Sequence, residues 1–215
     1  MNHKPNSRIK GLYAITPDAT DTAELLRKMR LALLGGAKVV QYRNKIADTA
    51  LRLKQAGALR KLTHEFGVPL IINDDADLAR QVDADGVHLG GSDGSMADAR
   101  AVLGSGKLLG VSCYNRLALA HEAVRQGADY VAFGSFFASR VKPDAVAATP
   151  ELLRQARHEL DVPIVAIGGI TAQNGVQLHE AGADALAVIS AVFAAADVED
   201  AAREFFNLFE QGKLA

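Results

Sequence analysis

The chain has 215 residues, and its 24 lysines and arginines against 25 aspartates and glutamates give a formal net charge of −1. A balanced charge creates no overall field that attracts nucleic acid or an anionic membrane surface, so local groups must meet any anionic ligand. The single cysteine, Cys113, excludes an internal disulfide, and no apolar run with charged flanks at the N-terminus indicates export. We therefore expect a cytoplasmic, soluble protein whose partners are small molecules.

Short apolar runs rich in β-formers alternate with helical stretches along the entire chain. We predict eight strands, at residues 12–16, 38–43, 69–73, 86–89, 108–112, 129–134, 163–168 and 185–190. The helices predicted between them include 21–34, 48–66, 116–126, 150–160, 172–181 and 198–211. Strands of nearly continuous apolar character are typical of a parallel sheet that is covered on both faces.

Three segments, LLGGAKVV, RQGADYVAF and HEAGADALAV, repeat one pattern, in which a helix ends at glycine and a short turn enters the next strand. An eightfold strand–helix repeat favours a closed (β/α)8 TIM barrel of the α/β class over an open doubly wound sheet. The first strand is not followed by G-x-G-x-x-G, which weakens a dinucleotide-binding alternative. We predict one TIM-barrel domain over residues 1–215, with residues 1–10 flexible and the polar start MNHKPNSRIKG outside the core.

In a TIM barrel the chemistry gathers in the loops that follow the strands, and the second predicted strand ends in QYRNK. If strand geometry continues through this stretch, Gln41, Arg43 and Lys45 alternate onto one face. One amide and two cations suit a polyanion such as diphosphate, because guanidinium offers a planar fork and ammonium a point charge. An exposed strand end with solvated charges is the alternative, and this stretch alone does not decide between them.

The third predicted strand leads into Asn73, Asp74 and Asp75, and Asp93 follows the fourth strand in a loop rich in glycine and serine. Successive parallel strands end at the same edge of a sheet, so Asp74 and Asp93 are expected to face a common point. Magnesium held by one or two carboxylates and completed by phosphate oxygens would use this pair. Helix capping is the alternative, and it accounts for Asp75 better than for the other three residues.

Polar groups also follow the fifth and sixth strands. Ser112 ends the fifth strand, where its hydroxyl or amide would meet a phosphate or would cap the next helix. The loop GSFFASRVKPDAVAATP contains Ser139, Arg140 and Lys142 and is too long for a simple connection. We expect this loop to fold over a bound anion.

Glycines and helix N-termini follow the last two strands, in IGGIT and VISAV. Gly169 and Ser190 would bind a phosphate there through backbone N–H groups, although tight turns alone also call for glycine. His88 lies inside an apolar strand, which favours a buried, hydrogen-bonded role over that of a general base. Cys113 has no accompanying histidine or aspartate pattern that marks a nucleophile, so we interpret it as a small apolar residue.

The ordered motifs resemble the thiamine-phosphate synthase family across nearly the whole chain, from GLYAITPD to VISAVFAAAD. The motifs that carry the resemblance are QYRNK, INDDADLA, DGVHLGGSD, GVSCYN, FGSFFASRVKPD, AIGGIT and VIS. The resemblance implies a transferase of thiamine biosynthesis that joins hydroxymethylpyrimidine diphosphate to hydroxyethylthiazole phosphate, forming thiamine phosphate and releasing diphosphate. It also implies that diphosphate departs to leave a pyrimidine carbocation, which the thiazole nitrogen captures without a covalent enzyme intermediate.

The resemblance also implies a role for each matching residue. The diphosphate of the pyrimidine substrate would be held by Gln41, Arg43, Asn73 and Lys142, assisted by Lys45 and Ser112. The accompanying Mg²⁺ would be bound by Asp74 and Asp93, and the phosphate of the thiazole substrate by Ser139, Gly169, Ile189 and Ser190. Of these residues, Arg43, Asn73 and Lys142 would be the catalytic ones.

The chain departs from the family's P-T-x-T-K pattern, because it has ASRVK at that place. Ser139 keeps a hydroxyl where threonine is usual, whereas Val141 lacks one and Ala138 replaces a proline. A missing hydroxyl removes one hydrogen bond to phosphate, at a cost of about 1 kcal/mol.

Two other functions are compatible with the same fold. The related thiazole tautomerase branch handles the thiazole phosphate without a diphosphate-bound metal, and the retention of Asp74, Asp93, Arg43 and Lys142 together argues against it. A phosphate-binding module without turnover is the second alternative, because a fold does not determine a function. The sequence leaves the oligomeric state open, and a homo-oligomer is one of the possible states.

Overall fold

In the computed structural model, which describes residues 8–90, 94–137 and 147–211, eight parallel strands form a closed barrel in chain order. The strands are β1 (Gly11–Ile15), β2 (Val39–Tyr42), β3 (Leu70–Asn73), β4 (Gly86–Leu89), β5 (Leu108–Tyr114), β6 (Tyr130–Phe133), β7 (Ile164–Ile167) and β8 (Ala185–Val188). Each strand pairs with its neighbours in the chain, and β1 pairs with β8. The predicted (β/α)8 barrel is therefore confirmed, with strand ends that differ from the predicted ones by at most two residues.

The described part of the chain also contains nine helices, which surround the barrel. They are α1 (Thr22–Leu34), α2 (Thr49–Glu65), α3 (Ala76–Gln81), α4 (Met96–Leu103), α5 (Leu117–Arg125), α6 (Pro150–Glu159), α7 (Ala172–Glu180), α8 (Ser190–Phe193) and α9 (Val198–Gln211). Six of them match predicted helices, whereas α3, α4 and α8 do not. Each of these three has eight residues or fewer, which is too short to produce a clear helical period in the sequence.

Alternate residues of the strands face two separate cores, because side chains along a strand point in opposite directions. Tyr13, Ile71 and Tyr130 belong to the cluster inside the barrel. Their neighbours Leu12 and Ile72 belong to the cluster between the strands and the helices. Burial on both faces explains why the strands have few polar residues.

Ile9 corrects the prediction that the first eleven residues lie outside the core. Its side chain is 1% exposed and belongs to the cluster inside the barrel, directly before β1. A single apolar residue in a polar stretch gives no periodic signal, so composition concealed its role. Residues 1–7 lie outside the described residues.

Three aspartates connect neighbouring strands at the amino-terminal edge of the barrel. Each precedes an even-numbered strand and accepts a hydrogen bond of 2.7 to 2.9 Å from a backbone N–H near the start of the preceding odd-numbered strand. Each also forms an ion pair with an arginine from a surrounding helix. The pairs are Asp85 with Arg60, Asp129 with Arg100, and Asp184 with Arg157. Two of these aspartates lie in the repeated glycine-terminated segments of the sequence.

Replacing Asp184 by alanine should lower the free energy of unfolding by about 2 kcal/mol, because a hydrogen bond to a charged group contributes roughly 1.5–3 kcal/mol. The variant leaves the Ile164 N–H and the Arg157 guanidinium without this acceptor. Urea unfolding followed by circular dichroism measures the change. Glu122→Gln, which alters an exposed ion pair with Arg125, is the control and should change stability by less than about 0.5 kcal/mol. Equal losses in the two variants would contradict the structural role of Asp184.

Candidate active site

Of the residues that the sequence analysis singled out, those that the structure describes lie at or near the carboxyl-terminal ends of the strands, where TIM barrels carry their chemistry. The predicted site residues within the described ranges are Gln41, Arg43, Lys45, Asn73, Asp74, Ser112, Gly169, Ile189 and Ser190. Asp93, Ser139 and Lys142 lie outside the described residues, as do Ala138, Arg140 and Val141. The arrangement can therefore be described for the ends of β2, β3, β5, β7 and β8.

The loop after β1 holds Arg43 in place. The buried Thr16 hydroxyl accepts a hydrogen bond from the Arg43 N–H at 2.8 Å and donates to the Arg43 carbonyl at 2.8 Å. Asp18 accepts a hydrogen bond from the Lys45 N–H at 2.8 Å, and its Oδ1 lies 3.4 Å from Arg43 Nη1. Because its backbone and one edge of its guanidinium are already held, Arg43 is positioned before any anion binds.

Thr16 and Asp18 were not identified by sequence reasoning, although they occupy the same kind of position as the residues that were. They follow the end of β1 in the stretch ITPD, as the other candidates follow their own strands. A hydroxyl that bonds to the backbone of a distant loop leaves no pattern in its own segment. Their position at the end of the first strand was the signal in the sequence that could have identified them.

A shared face for Gln41, Arg43 and Lys45 was expected only if strand geometry continued through QYRNK, and it does not, because β2 ends at Tyr42. Gln41 faces the barrel interior, where its Nε2 donates to the Tyr13 hydroxyl at 3.0 Å. Arg43 lies beyond the strand, and Lys45 is exposed. The backbone contacts with Thr16 and Asp18 replace strand pairing at this point, so Gln41, Arg43 and Lys45 do not share one strand face.

Asn73 and Asp74 form a polar pair at the end of β3. Asn73 Nδ2 donates to Asp74 Oδ2 at 2.5 Å, and Asp74 Oδ1 accepts from the Gly90 N–H at 3.3 Å. Asp74 has a φ of 63°, in the left-handed region that residues other than glycine rarely adopt, and such strain clusters at functional sites. Asp75, by contrast, is the N-cap of α3 and accepts a hydrogen bond from Leu78. Capping therefore accounts for Asp75 but not for Asp74.

The donors at this edge fit Mg²⁺ in kind. Asp74 supplies hard carboxylate oxygens, and the hydrogen bond from Asn73 fixes their orientation. Within the described ranges, no group of three or more histidine, cysteine, aspartate or glutamate side chains is arranged to hold a metal ion. Magnesium does not require such a cage, because it usually keeps several waters and binds one or two carboxylates together with substrate phosphates.

Ser112 lies in β5 beside an irregularity in the pairing with β6, where the register shifts between Ser112 and Tyr114. Its Oγ is 2.9 Å from His88 Nε2, and His88 Nδ1 is 3.1 Å from the Tyr130 hydroxyl. His88 is 8% exposed and has the buried, hydrogen-bonded position that the sequence favoured. Bulges are common at barrel rims, where they re-aim side chains near active sites.

The structure around the end of β5 also answers two questions from the sequence, namely whether Ser112 caps a helix and whether Cys113 is a nucleophile. The N-cap of α5 is Arg116, so Ser112 does not cap that helix. Cys113 is buried, and burial raises the pKa of its thiol to about 12, so the thiol stays protonated at neutral pH. Cys113 therefore has no nucleophilic character.

A cavity of about 300 Å³ opens between the loops that follow β1 and β8. It is lined by Pro17, Asp18, Ala19, Glu24, Leu25, Lys28, Ile189, Ser190, Phe193 and Ala194. Gly169 follows β7 with a φ of 62°, and its carbonyl accepts a hydrogen bond from the Asn174 side chain at 3.1 Å. No hydrogen bond to another described residue occupies its N–H. Of the residues expected to bind the thiazole phosphate, Ile189 and Ser190 therefore line this cavity, whereas Gly169 lies just before α7.

The closed barrel with amide, guanidinium, carboxylate and hydroxyl groups at its strand ends defines the class of the protein, a TIM-barrel enzyme. A family model described as thiamine monophosphate synthase matches residues 12–192. The chain belongs to this family, and it is accordingly a transferase, as the motifs predicted.

Individual relatives agree with the family assignment. The chain is 56% identical over 201 residues to the thiamine-phosphate synthase of Methylobacillus flagellatus, covering 94% of this chain and 96% of the relative. It is 56% identical over 202 residues to the thiamine-phosphate synthase of Azoarcus sp., covering 94% and 98%. The solved structure of a thiamine phosphate pyrophosphorylase from Pyrococcus furiosus matches with a TM-score of 0.86 and 36% identity, covering 95% of this chain and 98% of that one. None of the helices in the described ranges has the length and apolarity needed to cross a membrane.

Replacing Thr16 by valine should weaken the binding of inorganic diphosphate in the presence of Mg²⁺ about tenfold, or roughly 1.4 kcal/mol. Valine keeps the shape of threonine but removes the hydroxyl that holds both backbone groups of Arg43. Titration calorimetry measures the affinity.

The matched control is Thr63→Val, since Thr63 is equally buried and, among the described residues, its hydroxyl bonds only to the Arg60 carbonyl in its own helix. This control should leave the diphosphate affinity unchanged. An unchanged affinity in Thr16→Val would show that Arg43 does not depend on Thr16.

Proposed function

We propose that the protein is a thiamine-phosphate synthase that joins hydroxymethylpyrimidine diphosphate to hydroxyethylthiazole phosphate, releasing diphosphate. Family membership supports this reaction. The single observation that carries the proposal is the meeting of complementary groups at two neighbouring strand ends. The paired strands β2 and β3 end next to Arg43 on one side and Asn73 with Asp74 on the other. A cation, an amide and a carboxylate together match a diphosphate that binds with a metal ion.

Arg43 is the residue that stabilises the departing group in this proposal. Cleavage of the pyrimidine C–O bond leaves both electrons on diphosphate, whose negative charge grows in the transition state. Arg43 is held in advance by Thr16 at its backbone and by Asp18 at its guanidinium, so its positive charge stabilises that growing charge more than it stabilises the bound ester. Asn73 orients Asp74 on the side of the rim where the diphosphate binds in this proposal.

Lys142 is assigned as the second cation, carried by the loop after β6. Both ends of this loop are attached to the barrel mouth, which supports the assignment. The N–H groups of Phe136 and Phe137 bond to the carbonyls of Ile167 and Gly168, and the Ala148 N–H bonds to the Ser135 carbonyl. The described residues on either side of the loop are therefore held near the carboxyl-terminal ends of β6 and β7.

Asp74 and Asp93 are the residues that would hold Mg²⁺, which when bound supplies positive charge to the diphosphate. Asn73 keeps Asp74 oriented, because its amide occupies one side of Oδ2. Gln41, Lys45 and Ser112 are assigned to the same substrate.

The phosphate of the thiazole substrate is assigned to Ser139, Gly169, Ile189 and Ser190. Ile189 and Ser190 line the cavity beside β8. The Gly169 N–H donates to no other described residue, so it is available to an anion. The thiazole nitrogen then forms the new C–N bond with the pyrimidine carbocation left by diphosphate. No protein nucleophile takes part, in keeping with the buried and protonated Cys113.

The experiment that tests this function mixes the purified protein with both substrates and Mg²⁺ and follows thiamine phosphate and diphosphate together. Equal amounts of the two products, absent when the metal is chelated, are expected. Binding of the thiazole phosphate without any product would instead favour the tautomerase branch or a binding module.

Replacing Asp93 by alanine should lower the Mg²⁺-dependent rate on the order of a hundredfold, because one of the two carboxylates that hold the ion is lost. Initial rates over a range of Mg²⁺ concentrations measure the effect, which should include a higher metal requirement. Asp77→Ala removes an exposed carboxylate that pairs with Arg80 on α3 and should retain the wild-type rate. A wild-type rate in Asp93→Ala would remove Asp93 from the site.

A further inference from the structure

A continuous chain of hydrogen bonds crosses the interior of the barrel. Its links are Gln41 Nε2 to Tyr13 OH at 3.0 Å, Tyr13 OH to Tyr130 OH at 2.9 Å, Tyr130 OH to His88 Nδ1 at 3.1 Å, and His88 Nε2 to Ser112 Oγ at 2.9 Å. We call these five residues the interior chain. Its two ends, Gln41 on β2 and Ser112 on β5, are both assigned to the diphosphate of the substrate.

The interior chain is built into the barrel rather than added to its surface. Tyr130 is completely buried, and Tyr13 is 2% exposed. Gly110 on β5 makes room for the Tyr130 ring, because a Cβ atom at that position would lie 2.0 Å from the ring carbon Cζ. Burying phenol and imidazole groups costs free energy unless they are hydrogen-bonded, and apolar side chains such as Ile71 fill the same interior without that cost. The polar residues therefore call for a functional explanation.

The direction of the hydrogen bonds follows from the chemistry of the end groups. The Gln41 amide nitrogen only donates, so the Tyr13 oxygen accepts from it. The Tyr13 proton is then assigned to Tyr130, because with Tyr130 as the donor the buried Tyr13 proton would have no acceptor within the interior chain. Tyr130 then donates to His88 Nδ1, which places the ring proton of His88 on Nε2. Both tyrosines keep their protons, because burial raises their pKa values.

We propose that Tyr13, Tyr130 and His88 are positioning residues that turn the hydroxyl proton of Ser112 toward the bound diphosphate. Ser112 accepts a hydrogen bond from His88 Nε2–H, so its own proton remains to donate to an anionic oxygen. With the opposite direction, Ser112 would donate to His88 and would present only lone pairs to the anion. The identity of the anion rests on the proposed function, whereas the direction of the chain does not.

The first test is ¹⁵N NMR of wild-type protein labelled in its histidine rings. The proposal expects a neutral His88 with the proton on Nε2, which the separate shifts of the two ring nitrogens distinguish from the other forms. The signal is assigned by its loss in His88→Asn. A proton on Nδ1, or on both nitrogens, would overturn the proposal.

The second test compares Tyr130→Phe with Tyr42→Phe. Tyr130→Phe removes the donor to His88 Nδ1, so the tautomer should become mixed, and the dissociation constant of inorganic diphosphate with Mg²⁺ should rise about tenfold. The KM of the pyrimidine diphosphate should rise with it, whereas the KM of the thiazole phosphate should stay unchanged.

Tyr42→Phe is the matched control, since Tyr42 is 1% exposed and its hydroxyl bonds to Gln55 outside the interior chain. Gln55 keeps its hydrogen bond from Asn44 in this variant. The control should lose a similar amount of stability but keep the wild-type His88 tautomer and a diphosphate affinity within about twofold of wild type. Equal diphosphate affinities in the two variants would overturn the proposal.

The outcomes separate this proposal from the proposed function. Tautomer and diphosphate affinity are measured without turnover, so both can be decided even if no thiamine phosphate forms. Turnover by the wild type together with an unchanged Tyr130→Phe affinity would leave the function standing and remove the interior chain. The NMR test needs only the wild type and His88→Asn to fold, so it decides the proposal even where Tyr130→Phe does not fold.

Discussion

The pairing of β1 with β8 is the interaction on which the arrangement of the site depends. Four residue pairs, from Gly11 with Ala185 to Ala14 with Val188, close the eight strands into a ring. In an open sheet of the same strands, β1 and β8 would lie at opposite edges. Closure brings the loop after β1, which holds Arg43, next to the loop after β8, which lines the cavity. One rim thereby offers adjoining positions for the two phosphorylated substrates of the proposed function.

Polar groups are distributed unequally along the barrel. Near the amino-terminal edge, aspartates accept hydrogen bonds from the first N–H groups of neighbouring strands, and arginines neutralise them. At the opposite rim, the buried hydroxyl of Thr16 bonds to the backbone of Arg43, and Ser112 at the end of the interior chain bonds to His88. The polar groups named at the two ends of the barrel are thus bonded, as buried polar groups generally are. In the proposed function, the groups that meet a ligand lie at the carboxyl-terminal rim.

Much of the fold and part of the site could be predicted from the sequence, for reasons that differ between residues. The eight strands were found because apolar runs on both faces of a parallel sheet are strong signals, whereas α3 and α8 are too short to show a period. Asn73 and Ser112 were singled out because they end predicted apolar strands, and Gln41 was singled out with the cations Arg43 and Lys45 in the stretch QYRNK. Tyr13 and Tyr130 meet although 117 residues separate them, and only the closed barrel brings such residues together. The anchoring of Arg43 by Thr16 was missed for the same reason, and the roles of individual ligands came from the family resemblance rather than from strand periodicity.

The close approach of Tyr130 to Gly110 has a consequence for how this barrel can change over evolution. Any side chain at position 110 would collide with the ring, so that position can enlarge only if position 130 becomes smaller at the same time. A smaller residue at 130 in turn removes the middle of the hydrogen-bonded row and leaves the imidazole of His88 without one partner. A side chain at position 110 on β5 therefore requires a change at position 130 on β6, and that change alters the surroundings of His88 on β4. A family member with a side chain at position 110 is expected to have a smaller residue at position 130.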